Sequence, residues 1–292
     1  MTQNSLLYQF RTANVVTKLI AINVVIFLLV RLIGFFTVTE PYTLVSWLVL
    51  PDALEEFILQ PWSFLTYSFI HFGFWHLLFN MLWMYWFGRI VLNLFSERRF
   101  LTVYLMGAIA GGLLFVLAYG LFPVFEYSRG YLLGASGAVT AIMVFIAAYA
   151  PQTEIRIFTF TIKIWHLALF LVLLDLVRLP GSGNAGGLLA HLGGALFGYI
   201  YAVQLTRGRD IGSGFERLMD GVANIFKTRK QRPFKKVHRT RPVRKRAKNA
   251  VADDKSERQR QIDSILDKIS RSGYDSLTKA EKDFLFRAGK DE

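Results

Sequence analysis

Six apolar runs, at residues 15–36, 72–95, 100–122, 134–150, 158–179 and 186–205, dominate the first two thirds of the chain and are bounded by charged residues, Pro or Gly. Each approaches the ~20 residues that a helix needs to cross a bilayer. Charge agrees with that reading. Residues 1–205 hold 10 basic and 8 acidic side chains, too few to clothe a water-soluble globule of that size, whereas residues 206–292 hold 24 basic and 13 acidic. Of the net charge of +13, +11 therefore lies in the tail. The sequence predicts an all-α, polytopic membrane protein in three parts: a six-helix membrane domain at 1–205, a basic cytoplasmic linker at 206–255 and a small helical module at 256–292. The first run is expected to remain as a helix, since Asn23 and Arg31 interrupt it and no small-residue cleavage site precedes a soluble chain.

Basic residues next to the runs set the expected orientation. Arg11 and Lys18 precede the first run, Arg98 and Arg99 separate the second from the third, and Arg156 and Lys163 separate the fourth from the fifth. Arg207, Arg209 and the tail follow the sixth. These ends are assigned to the cytoplasm, with both termini inside. The opposite side carries Glu40, Asp52, Glu55, Glu56 and Glu126 with only Arg31, Arg129 and Arg178 as positive charges. Runs two, four and six then descend from the outer side. The connection 37–70, with Tyr42, Trp47, Trp62 and Tyr67 among acids and prolines, suits a loop lying on the outer membrane surface.

A polar side chain in a bilayer costs a few kcal/mol and needs a partner, a wet cavity or a job. The three descending runs open with such residues: His71 and His76-x-x-x-Asn80 in the second, Gly134-x-Ser136-Gly137 in the fourth, and Ala190-His191-x-x-Gly194-x-x-x-Gly198 in the sixth. Helical spacing puts His76 and Asn80 on one face. Asn80, Ser136 and His191 all fall within the first two or three turns of their runs and are expected to meet at one depth. Small residues around Ser136 and His191 permit close backbone approach. Taken singly, Ser136 reads as a packing residue, Gly194 and Gly198 as a helix-packing motif, and His71 as an anchor in contact with water. Together they permit nucleophilic chemistry, because a serine hydroxyl becomes nucleophilic when a neighbouring imidazole accepts its proton. Asp175 is expected to pair with Arg178, three residues on, leaving a Ser–His dyad without a third member. Asn80, His76 and the backbone N–H of Ser136 at a helix start are the expected donors to an oxyanion.

At these residues the chain resembles the rhomboid intramembrane serine proteases, over about residues 15–205. The resemblance rests on His76-x-x-x-Asn80, Gly134-x-Ser136-Gly137 and Ala190-His191-x-x-Gly194-x-x-x-Gly198, in that order on alternate helices. It implies a six-helix bundle with a water-filled cavity open to the outer side, Ser136 as nucleophile, His191 as general base and then acid, and His76 and Asn80 in the oxyanion hole. It also implies single-span membrane proteins as substrates, entering between runs two and five and cut where their helix unwinds. Two positions depart from the family pattern. Trp62-Ser63 stands where many members have Trp-Arg, and Thr140 stands where many place an aromatic ring against the histidine.

The tail holds 12 Lys or Arg and no acid over residues 227–248. Anionic lipid, at about 1 kcal/mol per basic residue near a charged surface, is the expected partner; nucleic acid ranks below it. Beyond, Ile262, Ile265, Leu266 and Ile269 recur at helical spacing. Ser272-Gly273 interrupts, and Thr278-x-x-Glu281 reads as a capping box opening a second helix with Phe284 and Leu285. The hairpin resembles a short C-terminal module of some bacterial rhomboids and is expected to dock a cytoplasmic partner. That likeness implies a bacterial inner or plasma membrane. No cofactor is expected, and no metal site, since the five histidines are scattered and there is no cysteine. The alternative to a protease is a rhomboid-like protein that binds or retains transmembrane helices without cutting them.

Overall fold

Helices form over all six apolar runs, with ends that follow local chemistry. The computed structural model describes residues 5–127, 129–157, 159–226 and 250–288. It comprises two compact units, one within residues 1–228 and one within 229–292. In the first, α1 (Val15–Thr37) starts where the Asn14 side chain accepts the Thr17 N–H, and α2 (Phe74–Leu94) follows Gly73. α3 (Glu97–Leu121) is capped by Ser96 accepting from the Arg99 N–H, with Glu97 in its first turn where the helix dipole favours an anion. α4 spans Ser136–Tyr149 and α5 Ile164–Arg178. α6 (Ala185–Thr206) is capped by Asn184 accepting from the Gly187 N–H.

Among the described residues, α1, α2, α3 and α6 are long and apolar enough to cross a membrane alone. α4 has 14 residues and α5 has 15, about 21–23 Å of helix against a hydrocarbon layer of about 30 Å. For α4 the shortfall is made up by irregular backbone before Ser136, where Leu132 and Ala135 are buried in protein, the condition under which non-helical chain is tolerated at membrane depth. For α5 the sequence expectation needs correction. The run expected to be helical from 158 begins instead in a β-hairpin, β1 (Glu154–Ile157) antiparallel to β2 (Phe160–Lys163), with Glu154 opposite Lys163. The helix starts only at Ile164.

The core lies between α3, α4 and α6, where Phe115, Ala138, Ala141, Ile142, Phe145 and Tyr201 are buried. α1, α2 and α5 flank it and turn Leu29, Leu32, Phe79, Phe170 and Val177 outward, as a bundle solvated by lipid does. The connection 37–70 packs across one end of the bundle. Its Leu50 enters the core, and Leu50–Pro51 pairs with Tyr131–Leu132 as a two-residue antiparallel ladder. Its apolar side chains Trp47, Ile58 and Leu59 remain exposed. After α6, an amphipathic helix α7 (Ser213–Phe226) is tied back to the start of α3 by Arg98–Asp220 at 3.0 Å and Arg99–Glu216 at 3.9 Å, and Arg99 also meets Asp210 in the turn before α7.

The second unit contains the expected hairpin, α8 (Ala250–Ser272) and α9 (Lys279–Ala288). Gly273, at φ +77°, breaks the chain between them. The Thr278 N–H donates to Glu281 Oε2 at 2.7 Å and the Glu281 N–H to Thr278 Oγ1 at 3.4 Å, the two halves of a capping box. Lys268 of α8 meets Glu281 of α9 at 2.9 Å, and Ile265 and Leu277 are buried between them. The basic run 227–248 lies outside the described residues.

Candidate active site

Ser136 is the first residue of α4, and the chain around it is held at three points. The Gly134 N–H donates to the Tyr67 carbonyl at 2.9 Å, the Ala135 N–H donates to His71 Nε2 at 3.3 Å, and the His76 ring lies against Gly134. A Cβ added at Gly134 would stand 2.6 Å from His76 Cε1, and the residue has φ +106°. Both facts require glycine there, on grounds of space and of conformation. Tyr67 is itself fixed, its hydroxyl donating to the Ala108 carbonyl of α3 at 2.7 Å. The segment preceding α2 thus clamps the segment preceding α4. His71, expected to be an anchor in contact with water, is only 1% exposed and serves this clamp. An imidazole accepting at Nε2 is neutral and carries its hydrogen on Nδ1.

Glycines let α6 approach Ser136 closely. A Cβ at Gly194 would overlap the Gly137 carbonyl, and one at Gly198 the Ala141 carbonyl. On the other side, a Cβ at Gly193 would meet the Ala110 carbonyl at 2.5 Å, and one at Gly111 of α3 the Ala190 carbonyl at 2.7 Å. His191 therefore sits on a helix whose backbone is pressed between α3 and α4, which fixes its height relative to Ser136.

Four of the residues singled out from sequence share one cavity. Ser136, His191, Asn80 and His76 all line a space of about 540 Å³, together with Trp75, Phe79, Trp83, Asn184 and the chain 131–133. A volume of that size admits several water molecules, each occupying about 30 Å³ in the liquid. Ser136, His191 and Asn80 also line a second space of about 150 Å³ with Thr140, Trp83, Phe87, Leu171 and Asp175. Asn80, 5% exposed, donates one amide hydrogen to the His76 carbonyl at 2.8 Å. That bond orients the amide and leaves its second N–H available.

One residue at the site departs from its sequence expectation. Asp175 Oδ2 lies 2.8 Å from His191 Nδ1, with the two side chains 15% and 24% exposed. The carboxylate expected to pair with Arg178 meets the imidazole instead, and a carboxylate does share the depth of the serine and histidine. The turn between α5 and α6 is short, residues 179–184, so residues a turn or two from its two ends fall at similar heights. This pairing across the turn prevails over the i, i+3 spacing from Asp175 to Arg178 on one helix.

Comparison with known proteins agrees with this architecture. Residues 59–208 match the rhomboid domain family, and residues 249–290 match a family of unknown function, DUF6576. Among curated proteins the chain is 30% identical over 159 residues to RHOMBOID-like protein 12, mitochondrial, of Arabidopsis thaliana, covering 50% of this chain and 47% of the relative. It is 28% identical over 196 residues to Rhomboid protein 1, mitochondrial, of Saccharomyces cerevisiae, covering 66% and 54%. It is 27% identical over 206 residues to the human Presenilin-associated rhomboid-like protein, mitochondrial, covering 67% and 48%. The chain spans about half the length of these relatives. The bacterial placement read from the tail module is not borne out, since these relatives carry mitochondrial names. Matched over half its length and built as a bundle of apolar helices, the chain is a multi-pass membrane protein that belongs to the rhomboid family.

Proposed function

We propose that this chain is an intramembrane serine endopeptidase that cleaves single-span membrane proteins, with Ser136 as nucleophile and His191 as general base. The observation that carries the proposal is the shared cavity: Ser136, His191, Asn80 and His76, drawn from three helices, line one space large enough for water. Family membership supports the same reading, as rhomboids are in general intramembrane serine proteases.

The chemistry follows from the groups. His191 takes the Ser136 hydroxyl proton as Oγ attacks the scissile carbonyl carbon, and the carbonyl oxygen becomes an oxyanion. The free N–H of Asn80, a ring N–H of His76 and the backbone N–H of Ser136 are the donors for that charge. Ala135, which precedes the helix, offers no side-chain cap to its first amides, so their partial positive charge favours an anion. His191 then gives its proton to the departing amine, and water hydrolyses the acyl-enzyme by the same steps with His191 again as base. The substrate's peptide bond must leave helical geometry first, because a hydrogen-bonded carbonyl is shielded from attack.

A serine-reactive fluorophosphonate tests the nucleophile. Wild-type protein in membranes is expected to be labelled and Ser136→Ala is not. Equal labelling of both would reject Ser136. A helix-binding protein without catalysis would leave both unlabelled.

A further inference from the structure

We infer that Asp175 is a positioning residue for His191, holding the ring in the orientation and tautomer that serve Ser136; the inference rests on the protease reading above. A carboxylate in an apolar helix costs a few kcal/mol unless it is partnered or has work to do. Asp175, on a helix otherwise of aliphatic and aromatic residues from Trp165 to Val177 apart from His166, has its partner across the α5–α6 contact. An ionised carboxylate only accepts hydrogen bonds. At 2.8 Å, the His191 Nδ1 facing it must therefore carry hydrogen. The neutral ring has one hydrogen, so Nε2 is left with its lone pair, the form able to take the Ser136 proton.

The carboxylate contributes in two further ways. It restrains rotation of the ring, which matters because position 140 on α4, lining the same small space as His191, holds a threonine that offers no ring to stack against. It also places a negative charge beside the imidazole when the ring becomes positive, and the protonated ring occurs only after the serine gives up its proton. An interaction gained at that moment lowers the barrier without tightening substrate binding. Asp175 is not protonated in the cycle, and His191 alone carries the proton from Ser136 to the leaving amine.

Steady-state cleavage of a fluorogenic single-span substrate by the full chain in proteoliposomes tests this with four proteins. For Asp175→Asn, kcat is expected to fall by roughly 100- to 10,000-fold, the scale seen when a triad aspartate is replaced, with KM within about twofold. Asn keeps the size and a hydrogen bond between α5 and α6, so a merely structural contact would survive it. A kcat within about threefold of wild type, or a loss confined to KM, overturns the inference. If the Asn variant unfolds below the assay temperature, Asp175→Glu decides: cleavage recovered above that variant supports the role, and none overturns it. Ser136→Ala separates the two levels. Cleavage by that variant removes the protease reading itself, whereas an inactive Ser136→Ala beside a fully active Asp175→Asn removes only the role of Asp175.

Discussion

At the scale of single residues, Gly134 shows how local backbone serves the proposed chemistry. It holds φ +106° and leaves room for the His76 ring, so a side chain there is excluded twice. Replacing Gly134 by Ala is expected to cost about 1–3 kcal/mol of stability through the forced conformation. It should also lower kcat by roughly 100-fold, as loss of an aligned oxyanion donor does, because His76 must move. Thermal unfolding and cleavage rate together check this, and a variant unchanged in both would show that the ring position has no role. Ser136, His191, His76 and Asn80 were legible in sequence because each is polar inside an apolar run. His71 and Asp175 were misread for a common reason. Their partners lie on other elements, Ala135 and His191, and local spacing carries no information about such pairs unless the turn joining two helices is used as a ruler.

At the scale of elements, α6 sets the geometry of the bundle. Its Gly193 faces α3 while Gly194 and Gly198 face α4. Gly198→Val inserts branched bulk against the Ala141 carbonyl two turns below His191. It is expected to lower the unfolding midpoint by an overpacking cost of about 1–3 kcal/mol or more, and to reduce labelling of Ser136 even where the fold survives. Retained midpoint and labelling would mean that the α4–α6 contact is looser than described. Helix positions were readable from apolar runs, and close packing from the small residues. The start of α5 was not. Glu154-Ile-Arg-Ile and Phe160-Thr-Ile-Lys alternate with a period of two, the pattern of strands, but the mean hydropathy of the run concealed it.

At the scale of the whole molecule, the two units answer to different physics. The membrane unit exposes apolar side chains to lipid, whereas among the described residues the C-terminal unit is joined by the buried Ile265 and Leu277, the capping box and the Lys268–Glu281 ion pair. The Lys268 ammonium, with the Thr278 N–H and hydroxyl, pulls the Glu281 carboxyl down to about 2. A carboxyl depressed in the folded state stabilises it above the ordinary glutamate range and loses that contribution as pH falls from about 4.5 toward 2. Protection of the α9 amides in the full chain, taken relative to their intrinsic exchange rates at each pH, is therefore expected to fall over that interval, and Glu281→Gln should show the lower protection already at neutral pH. A Gln variant as protected as wild type at pH 7 would leave the pair without a structural role. This hairpin was foreseen in sequence because its signals are local: a helical period, a glycine stop and a capping box.

The proposed activity is tested most directly by incubating purified wild-type and Ser136→Ala proteins in proteoliposomes with a panel of fluorescent single-span membrane proteins. Wild type should release a fragment cut within or beside the transmembrane segment of at least one substrate, and Ser136→Ala should release none. The same fragment at the same rate from both would contradict the assignment of Ser136 as the nucleophile.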